Sequence, residues 1–205
     1  NIKNILFMGS PIFAVSSLDS VISAFPDFSV TVVSQPDKPQ GRGKKLTPTP
    51  VSQYALTHNI SLFRPETKDA LLDCVFDINP SIILVVAYGM ILPSKITDSF
   101  ICVNSHASLL PHYRGASPIH SSLLNRDTQT GITLIHMNEK MDEGPILNQY
   151  ELNITSQMNF KDLHDQLAAL SGKACAQFIQ QFLELDSLDS KPQPSEGVSY
   201  CSKLS

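Results

Sequence analysis

The chain has 205 residues, 42% of them hydrophobic and 17% charged, with a formal net charge of −4. These values are typical of a globular protein with a sizeable core, and they exclude a globally basic nucleic-acid binder but not a local basic patch. No apolar run approaches the roughly 20 residues that span a bilayer. The four cysteines match neither a zinc site nor a disulfide framework. We therefore expect a soluble, cytoplasmic protein with free thiols and no membrane partner. We also expect a monomer.

Apolar and β-branched runs predict seven strands along the chain. They lie at 4–9, 28–34, 61–63, 81–87, 100–106, 131–137 and 146–152. Helical periodicity and capping residues predict helices between these strands. They lie at 11–25, 50–58, 119–124 and 160–185, with one more that opens at Glu66 or Thr67 and ends near Asn79. Ser10 with Pro11, and Ser117 with Pro118, have the residue types of a helix N-cap and first helical position.

Strands that alternate with helices predict an α/β fold, with a mostly parallel sheet and helices on both faces. The run 81–87 is continuously apolar, as expected of a strand buried on both faces. In such sheets, ligands bind beyond the carboxyl ends of the strands. Tyr88 and Gly89 follow one predicted strand, and Asn104 and His106 end another. These four residues are therefore candidates for a binding site.

Asn104 and His106 are two residues apart at a strand end, so their side chains point to the same side. An amide and an imidazole that converge on one point suit an acyl-type reaction, because both can stabilise an oxyanion and the imidazole can move a proton. The alternative is a buried pair that only satisfies hydrogen bonds. Asp142, in the loop between two predicted strands, is the best candidate for a third group that orients the imidazole or accepts the proton. The alternative for Asp142 is an ordinary turn aspartate.

Several other kinds of site find no support in the sequence. No serine lies in a GxSxG elbow, which favours direct transfer between two bound substrates over a covalent intermediate. The glycine spacing of a dinucleotide site or a P-loop is also missing. A metal site would need His106, Asp142 and either His112 or His120, and this spacing matches no known ligand pattern. We expect no metal.

Two segments stand out by composition. The loop from Gln35 to Thr47 carries Asp37 and four basic residues, Lys38, Arg42, Lys44 and Lys45, which gives it a local charge of +3. Phosphate backbones are the usual partners of such a patch, although a solvated surface loop is the alternative. The segment 186–197 is rich in Pro, Ser and Gly, which indicates a linker or an extended surface segment leading to a further domain.

Longer motifs add a family resemblance that covers nearly the whole chain in order. The stretch NSHASLLPHYRGASPI, followed by MDEGPIL, resembles the folate-dependent formyltransferases. ILFMGSPIFAVSSLD, VVSQPDKPQGRGKKLTPTPV and LVVAYGMILP are similar to the members of this family that act on initiator methionyl-tRNA. The basic loop is the most specific of these motifs, and VSYCSKLS resembles the end of the family's catalytic domain.

The resemblance implies a Rossmann-like sheet and a reaction of bacterial-type translation initiation. The formyl group would pass from 10-formyltetrahydrofolate to the α-amino group of initiator methionyl-tRNA. Asn104 and His106 would stabilise the oxyanion, and Asp142 with His106 would move the proton to the folate nitrogen. Residues 1–185 would form the catalytic domain, and 186–205 would be a linker or tail toward a C-terminal tRNA-binding domain that this chain lacks.

The resemblance also implies the residues that contact each substrate. The folate would lie against Ala87, Tyr88, Gly89, Met90, Ile91, Leu92, Ser108, Leu109, Leu110, Pro111 and Glu139. The tRNA would be bound by Lys38, Arg42, Lys44 and Lys45, with Arg42 as the first choice. Two alternatives stay open. A glycinamide ribonucleotide formyltransferase would share the three catalytic residues but not the basic loop, and a non-catalytic folate- or tRNA-binding module would not need them.

Overall fold

The structure is a computed structural model that describes residues 3–203. Its strands are β1 (Asn4–Gly9), β2 (Ser29–Val33), β3 (Lys38–Gln40), β4 (Lys45–Thr47), β5 (Ser61–Phe63), β6 (Ile82–Val86), β7 (Cys102–His106), β8 (Arg114–Gly115), β9 (Gln129–His136), β10 (Ile146–Asn153) and β11 (Tyr200–Cys201). Its helices are α1 (Ile12–Ala24), α2 (Pro50–Thr57), α3 (Lys68–Ile78), α4 (Ser94–Ser99), α5 (Pro118–Leu124) and α6 (Phe160–Leu185).

The main sheet has seven strands in the order β10-β9-β7-β6-β1-β2-β5. The strands from β7 to β5 in this order are parallel, whereas β9 is antiparallel to β7 and β10 is antiparallel to β9. The prediction of an α/β, Rossmann-like and mostly parallel sheet is therefore confirmed. The two antiparallel strands lie at one edge, next to the strand that carries Asn104 and His106.

Helices cover both faces of this sheet, as the continuous apolar run of β6 predicts. All five residues of β6 are buried. Because successive side chains of a strand point to opposite faces, Leu84 belongs to one apolar cluster and Ile83 to the other. The first cluster includes residues of α1, α2 and α6, such as Leu18, and the second includes residues of α3 and α4, such as Leu71.

Ser10 does not have its predicted role at the start of α1. The helix begins at Ile12, with Pro11 as an N-cap that has no side-chain hydrogen bond. The Ser10 hydroxyl instead donates to the Tyr88 carbonyl oxygen at 2.7 Å, which joins the chain after β1 to the chain after β6. Ser117 likewise is an N-cap whose side chain does not cap its helix. In both cases the serine hydroxyl, which the local sequence predicts to cap the helix, instead donates to a carbonyl oxygen far away in the sequence.

Three other segments differ from the sequence predictions. The basic loop is an antiparallel hairpin of β3 and β4, with Gln40 opposite Lys45. Helix α4 was not predicted, because its six residues are too few to show helical periodicity. The tail returns to the rest of the protein: Lys191 pairs with Ile146 of β10, and β11 pairs in parallel with β8 in a separate two-stranded sheet. The division of the chain at residue 185 stays a prediction, but the segment after it packs against the rest of the protein.

Candidate active site

A cavity of about 610 Å³ opens at the carboxyl ends of β6 and β7. Its walls come from the chain after β6, the end of β7, the start of α5 and the loop between β9 and β10. This is where a parallel α/β sheet is expected to bind ligands. Asn104, His106 and Asp142 all line this cavity, so the structure brings the three predicted catalytic residues together.

The Asp142 carboxylate lies between the other two side chains. Its Oδ1 accepts a hydrogen bond from Asn104 Nδ2 at 3.4 Å and lies 3.7 Å from His106 Nδ1. The first contact is a long hydrogen bond, and the second is beyond hydrogen-bond distance. The His106 and Asp142 side chains are only 8% and 11% exposed, so their interaction is little screened by water. The three polar groups therefore converge on one point of the cavity wall.

The backbone fixes which nitrogen of His106 faces this centre. His106 Nε2 lies 2.8 Å from the carbonyl oxygen of Tyr113. Because a carbonyl oxygen can only accept, Nε2 must carry the hydrogen. In the neutral imidazole, Nδ1 then has a free lone pair, and it lies on the side of Asp142. His106 can accept a proton at Nδ1 and return it from the same atom.

Asp142 is held by its second oxygen. Oδ2 accepts a hydrogen bond from the Gly115 backbone N–H at 2.8 Å. The residue has a positive φ of 55°, a left-handed conformation that Asp adopts more readily than most residues. Asp142 is thus a turn residue, as the alternative interpretation held, and its carboxylate also reaches the cavity. The two interpretations are compatible.

The segment after β6 supplies one wall of the cavity. All six of its predicted folate residues, from Ala87 to Leu92, line the cavity, and so does Glu139 from the loop between β9 and β10. Ala87 and Gly89 have φ values of 49° and 92°, so the backbone turns sharply here. The Tyr88 side chain is only 1% exposed and points away into the apolar core between the sheet and α3. Burial raises the pKa of the Tyr88 hydroxyl to about 12.

The other predicted folate residues do not line this cavity. They are Ser108, Leu109, Leu110 and Pro111, and their polar groups are used within the protein. The Ser108 hydroxyl donates to the His112 carbonyl oxygen at 2.6 Å, and its own carbonyl accepts from the Thr133 hydroxyl at 2.6 Å. The Leu110 N–H donates to that same Thr133 hydroxyl at 3.0 Å. These bonds fasten the loop after β7 to β9, so the motif shapes the site without facing the cavity.

A second wall was not predicted from the sequence. It consists of Phe13, His120, Phe160 and His164, from the first two turns of α1, α5 and α6, and is called the aromatic wall below. The rings of His120 and Phe160 stack with centroids 4.0 Å apart, and Phe13 meets His164 edge-on at 5.4 Å. A signal existed, since helices that follow strands begin at the carboxyl edge of the sheet. Aromatic residues in those first turns therefore face the ligand side.

The four basic residues predicted to bind tRNA all lie in the β3–β4 hairpin, and all are exposed. The one acidic residue of the loop, Asp37, forms an ion pair with Arg64 at 2.8 Å. Within residues 3–203, none of the four basic side chains forms an ion pair. The hairpin follows β2, and the side chain of Gln35 at its base lies beside Gly89. The basic surface therefore begins near the wall formed by Ala87–Leu92.

Residues 3–203 contain no cluster of three or more His, Cys, Asp or Glu side chains that could hold a metal. His112, one of the residues in the metal alternative, does not line the cavity. Across the same residues, no helix combines the length and apolar character needed to cross a membrane. All four cysteines are free thiols.

A family model described as formyl transferase matches residues 3–179, and the chain belongs to this family. The resemblance drawn from the sequence motifs is thereby confirmed. The chain is 40% identical to methionyl-tRNA formyltransferase of Aromatoleum aromaticum, over 98% of its own length and 64% of that protein. It is 42% identical to the protein of the same name from Pelotomaculum thermopropionicum, with the same coverage of 98% and 64%. The chain thus spans somewhat less than two thirds of these curated relatives.

Solved structures with this fold include proteins that are named as formyltransferases of different kinds. An N-formyltransferase from Helicobacter canadensis, in complex with folinic acid and dTDP-3-aminofucose, aligns with a TM-score of 0.76 at 22% identity, covering 99% of this chain and 71% of that one. Glycinamide ribonucleotide transformylase 1 from Symbiobacterium toebii aligns with a TM-score of 0.76 at 15% identity, covering 94% and 95%. At these identities the similarity establishes the fold alone.

Proposed function

We propose that this chain transfers a formyl group from 10-formyltetrahydrofolate to the α-amino group of initiator methionyl-tRNA. The observation that carries the proposal is the convergence of Asn104, His106 and Asp142 on one cavity, with separations of 3.4 and 3.7 Å about the carboxylate. About 40% identity to methionyl-tRNA formyltransferases over nearly the whole chain supports this choice of reaction. The basic hairpin supports the choice of an RNA acceptor.

The donor would occupy the end of the cavity formed by Ala87–Leu92 and the loop that carries Glu139. A pterin ring needs a mostly apolar slot with a few polar groups at fixed positions. Met90, Ile91 and Leu92 supply apolar surface there, and the turning backbone at Ala87 and Gly89 supplies polar groups. The folinic acid complex of the Helicobacter canadensis protein, which has the same fold, is consistent with a folate donor.

The proposed reaction needs no covalent enzyme intermediate. The methionyl amine attacks the formyl carbon, and the carbonyl electrons form an oxyanion that Asn104 Nδ2 can stabilise. His106 Nδ1 takes the proton that the amine loses, and the Asp142 carboxylate balances the resulting positive charge. Protonated Nδ1 also donates toward the oxyanion. When the bond from carbon to folate N10 breaks, His106 returns the proton to N10, which leaves tetrahydrofolate and formylmethionyl-tRNA.

The aromatic wall would hold the methionyl side chain. A thioether packs favourably against aromatic ring edges, at a gain of about 0.3–1.5 kcal/mol per contact. Phe13 and Phe160 line the same cavity and present such rings there. An amine attached to a side chain held there would lie in the same cavity as Asn104 and Asp142.

A formyl-transfer assay with 10-formyltetrahydrofolate and three separate acceptors tests this proposal. The acceptors are initiator methionyl-tRNA, glycinamide ribonucleotide and a dTDP-linked amino sugar. We expect transfer to the methionyl-tRNA, and a loss of about 100-fold or more in Asp142→Asn. Asp73→Asn, an exposed aspartate on α3, is the matched control and should keep full activity. Preference for the ribonucleotide would favour the first alternative, and folate binding without transfer to any acceptor would favour a non-catalytic module.

A further inference from the structure

Two backbone groups of one short segment contact the proposed catalytic side chains. The Tyr113 carbonyl oxygen accepts from His106 Nε2 at 2.8 Å, and the Gly115 N–H donates to Asp142 Oδ2 at 2.8 Å. Residues 113–115 therefore form a rail that fixes the imidazole and the carboxylate relative to each other. Because both contacts are made by the backbone, the position of the rail decides the geometry of the site.

The tail of the chain holds this rail in place. The Arg114 N–H donates to the Ser199 carbonyl oxygen at 2.9 Å, and the Ala116 N–H donates to the Cys201 carbonyl oxygen at 3.0 Å. The Ser199 hydroxyl also accepts from the Tyr113 N–H at 2.8 Å. The backbone N–H groups of Tyr113, Arg114 and Ala116 thus bond to the tail. The N–H group of Gly115, between them, bonds to Asp142.

Gln193 joins the rail to the loop that carries Asp142. Its Nε2 donates to the Asp142 carbonyl oxygen at 2.7 Å and to the Gly144 carbonyl oxygen at 2.9 Å. Its Oε1 accepts from the Arg114 guanidinium at 3.1 Å from Nε and 2.8 Å from Nη2. The amide thus uses both donor hydrogens on the Asp142 turn and its acceptor on Arg114, which is only 8% exposed.

We propose that Gln193 is a positioning residue, which acts by holding Asp142 at its working distance from Asn104 and His106. This rests on the proposed function only in requiring that Asp142 act in formyl transfer. The Asp142 separations of 3.4 and 3.7 Å leave little tolerance, and a misplacement of about 1 Å can cost on the order of 100-fold in rate. The segment predicted as a linker thereby contributes a residue to the organisation of the active site.

Two substitutions separate positioning from folding. Gln193→Ala removes the whole amide. Gln193→Glu keeps the side-chain length and the acceptor for Arg114 but cannot donate to the two carbonyl oxygens of the Asp142 turn. We expect both variants to lose activity and Gln193→Glu to keep most of the thermal stability. Gln180→Ala is the matched control, because Gln180 is exposed on α6 and its side chain bonds to Glu184, one turn further along the same helix.

Amide hydrogen exchange measured by NMR tests the contact without any substrate. The Gly115 amide reports the Asp142 carboxylate, and the Arg114 and Ala116 amides report the docked tail. We expect Gln193→Glu to speed exchange at Gly115 roughly tenfold while the two flanking amides stay protected. Unchanged exchange at Gly115 would overturn the proposal. An equal increase at all three amides would also overturn it, since Gln193 would then only dock the tail.

A double-mutant cycle measures whether Gln193 acts through Asp142. We expect Gln193→Glu to lower kcat at least tenfold, with the KM for 10-formyltetrahydrofolate changed less than twofold. In the Asp142→Asn background the same substitution should have almost no further effect on kcat. An equal loss in both backgrounds would refute the positioning role. Failure of the proposed function is distinguishable, because the parent chain would then not formylate methionyl-tRNA, whereas the exchange result does not depend on any acceptor.

Discussion

Gly115→Ala should cost far more stability than the same change at another glycine with positive φ. Gly115 has a φ of 113°, and a Cβ added there would lie 2.3 Å from the Cys201 carbonyl oxygen. Backbone strain of about 1–3 kcal/mol and overpacking of a further 1–3 kcal/mol give a loss of about 4 kcal/mol. Gly41 also has a positive φ, 70°, but a Cβ there meets nothing within 4 Å. Gly41→Ala should therefore cost only about 1 kcal/mol.

Urea unfolding of the parent chain and the two variants measures this difference. In thermal unfolding of a chain of 205 residues, a loss of about 4 kcal/mol corresponds to a fall in Tm of about 8–16 °C. The strain in Gly115→Ala can also be relieved by separation of β11 from β8, because the obstructing oxygen belongs to the tail. In that case the free energy of unfolding falls less, but kcat falls because the Gly115 N–H no longer holds Asp142. Equal stability of the two variants, together with full activity of Gly115→Ala, would refute this reasoning.

Three further substitutions test separate parts of the molecule. Asn104→Ala should lower kcat by about 100- to 1,000-fold and leave folate affinity unchanged, since it removes an oxyanion donor; an equal fall in folate affinity would contradict that role. Arg42→Ala should raise the KM for methionyl-tRNA and leave folate binding unaffected, and the slope of log tRNA-binding constant against log salt concentration should fall in magnitude by about one. An equal loss of tRNA and folate binding would contradict the idea that the hairpin binds the tRNA and the cavity binds the folate. Tyr88→Phe removes a hydroxyl that is buried without a hydrogen-bond partner in residues 3–203, so we expect unchanged or slightly higher stability, by up to about 1 kcal/mol. Because burial raises the pKa of the Tyr88 hydroxyl from 10.0 to about 12, the parent chain should lose stability as pH rises through this range, and Tyr88→Phe should lose less.

The parts of the fold that follow from local pattern could be predicted from the sequence. Runs such as 81–87 are apolar because both faces of the strand are buried, and this is visible without any partner. The pairing of Asn104 with His106 follows from the two-residue period of a strand, so their convergence was also predictable. Asp142 was a candidate from its loop position and from the family resemblance, because its distance to the other two depends on how the loop between β9 and β10 folds over the sheet.

The remaining features depend on contacts between segments far apart in the sequence. The aromatic wall joins residues from three helices, of which Phe13 and Phe160 are 147 positions apart. The hydroxyls of Ser10 and Ser117 have cap-like local sequences, but tertiary partners take them. Gln193 lies in a segment whose composition indicates a linker, and its role depends on a return of the chain to Arg114. The periodicity of a helix or strand carries no information about contacts between distant segments, so these contacts could not be predicted from the sequence.

The distribution of charge explains how an acidic chain can suit a polyanionic partner. Four basic side chains of the hairpin, without ion pairs in residues 3–203, carry +4 in a chain whose net charge is −4, so the remainder carries −8. Long-range repulsion by this remainder disfavours random contact with RNA, whereas the hairpin attracts phosphates at one place. That place lies near the wall from Ala87 to Leu92, because the Gln35 side chain at the base of the hairpin lies beside Gly89. In the proposed reaction, the charge asymmetry would therefore direct the acceptor end of a tRNA to the mouth of the catalytic cavity, and raising the salt concentration should slow tRNA association much more than folate binding.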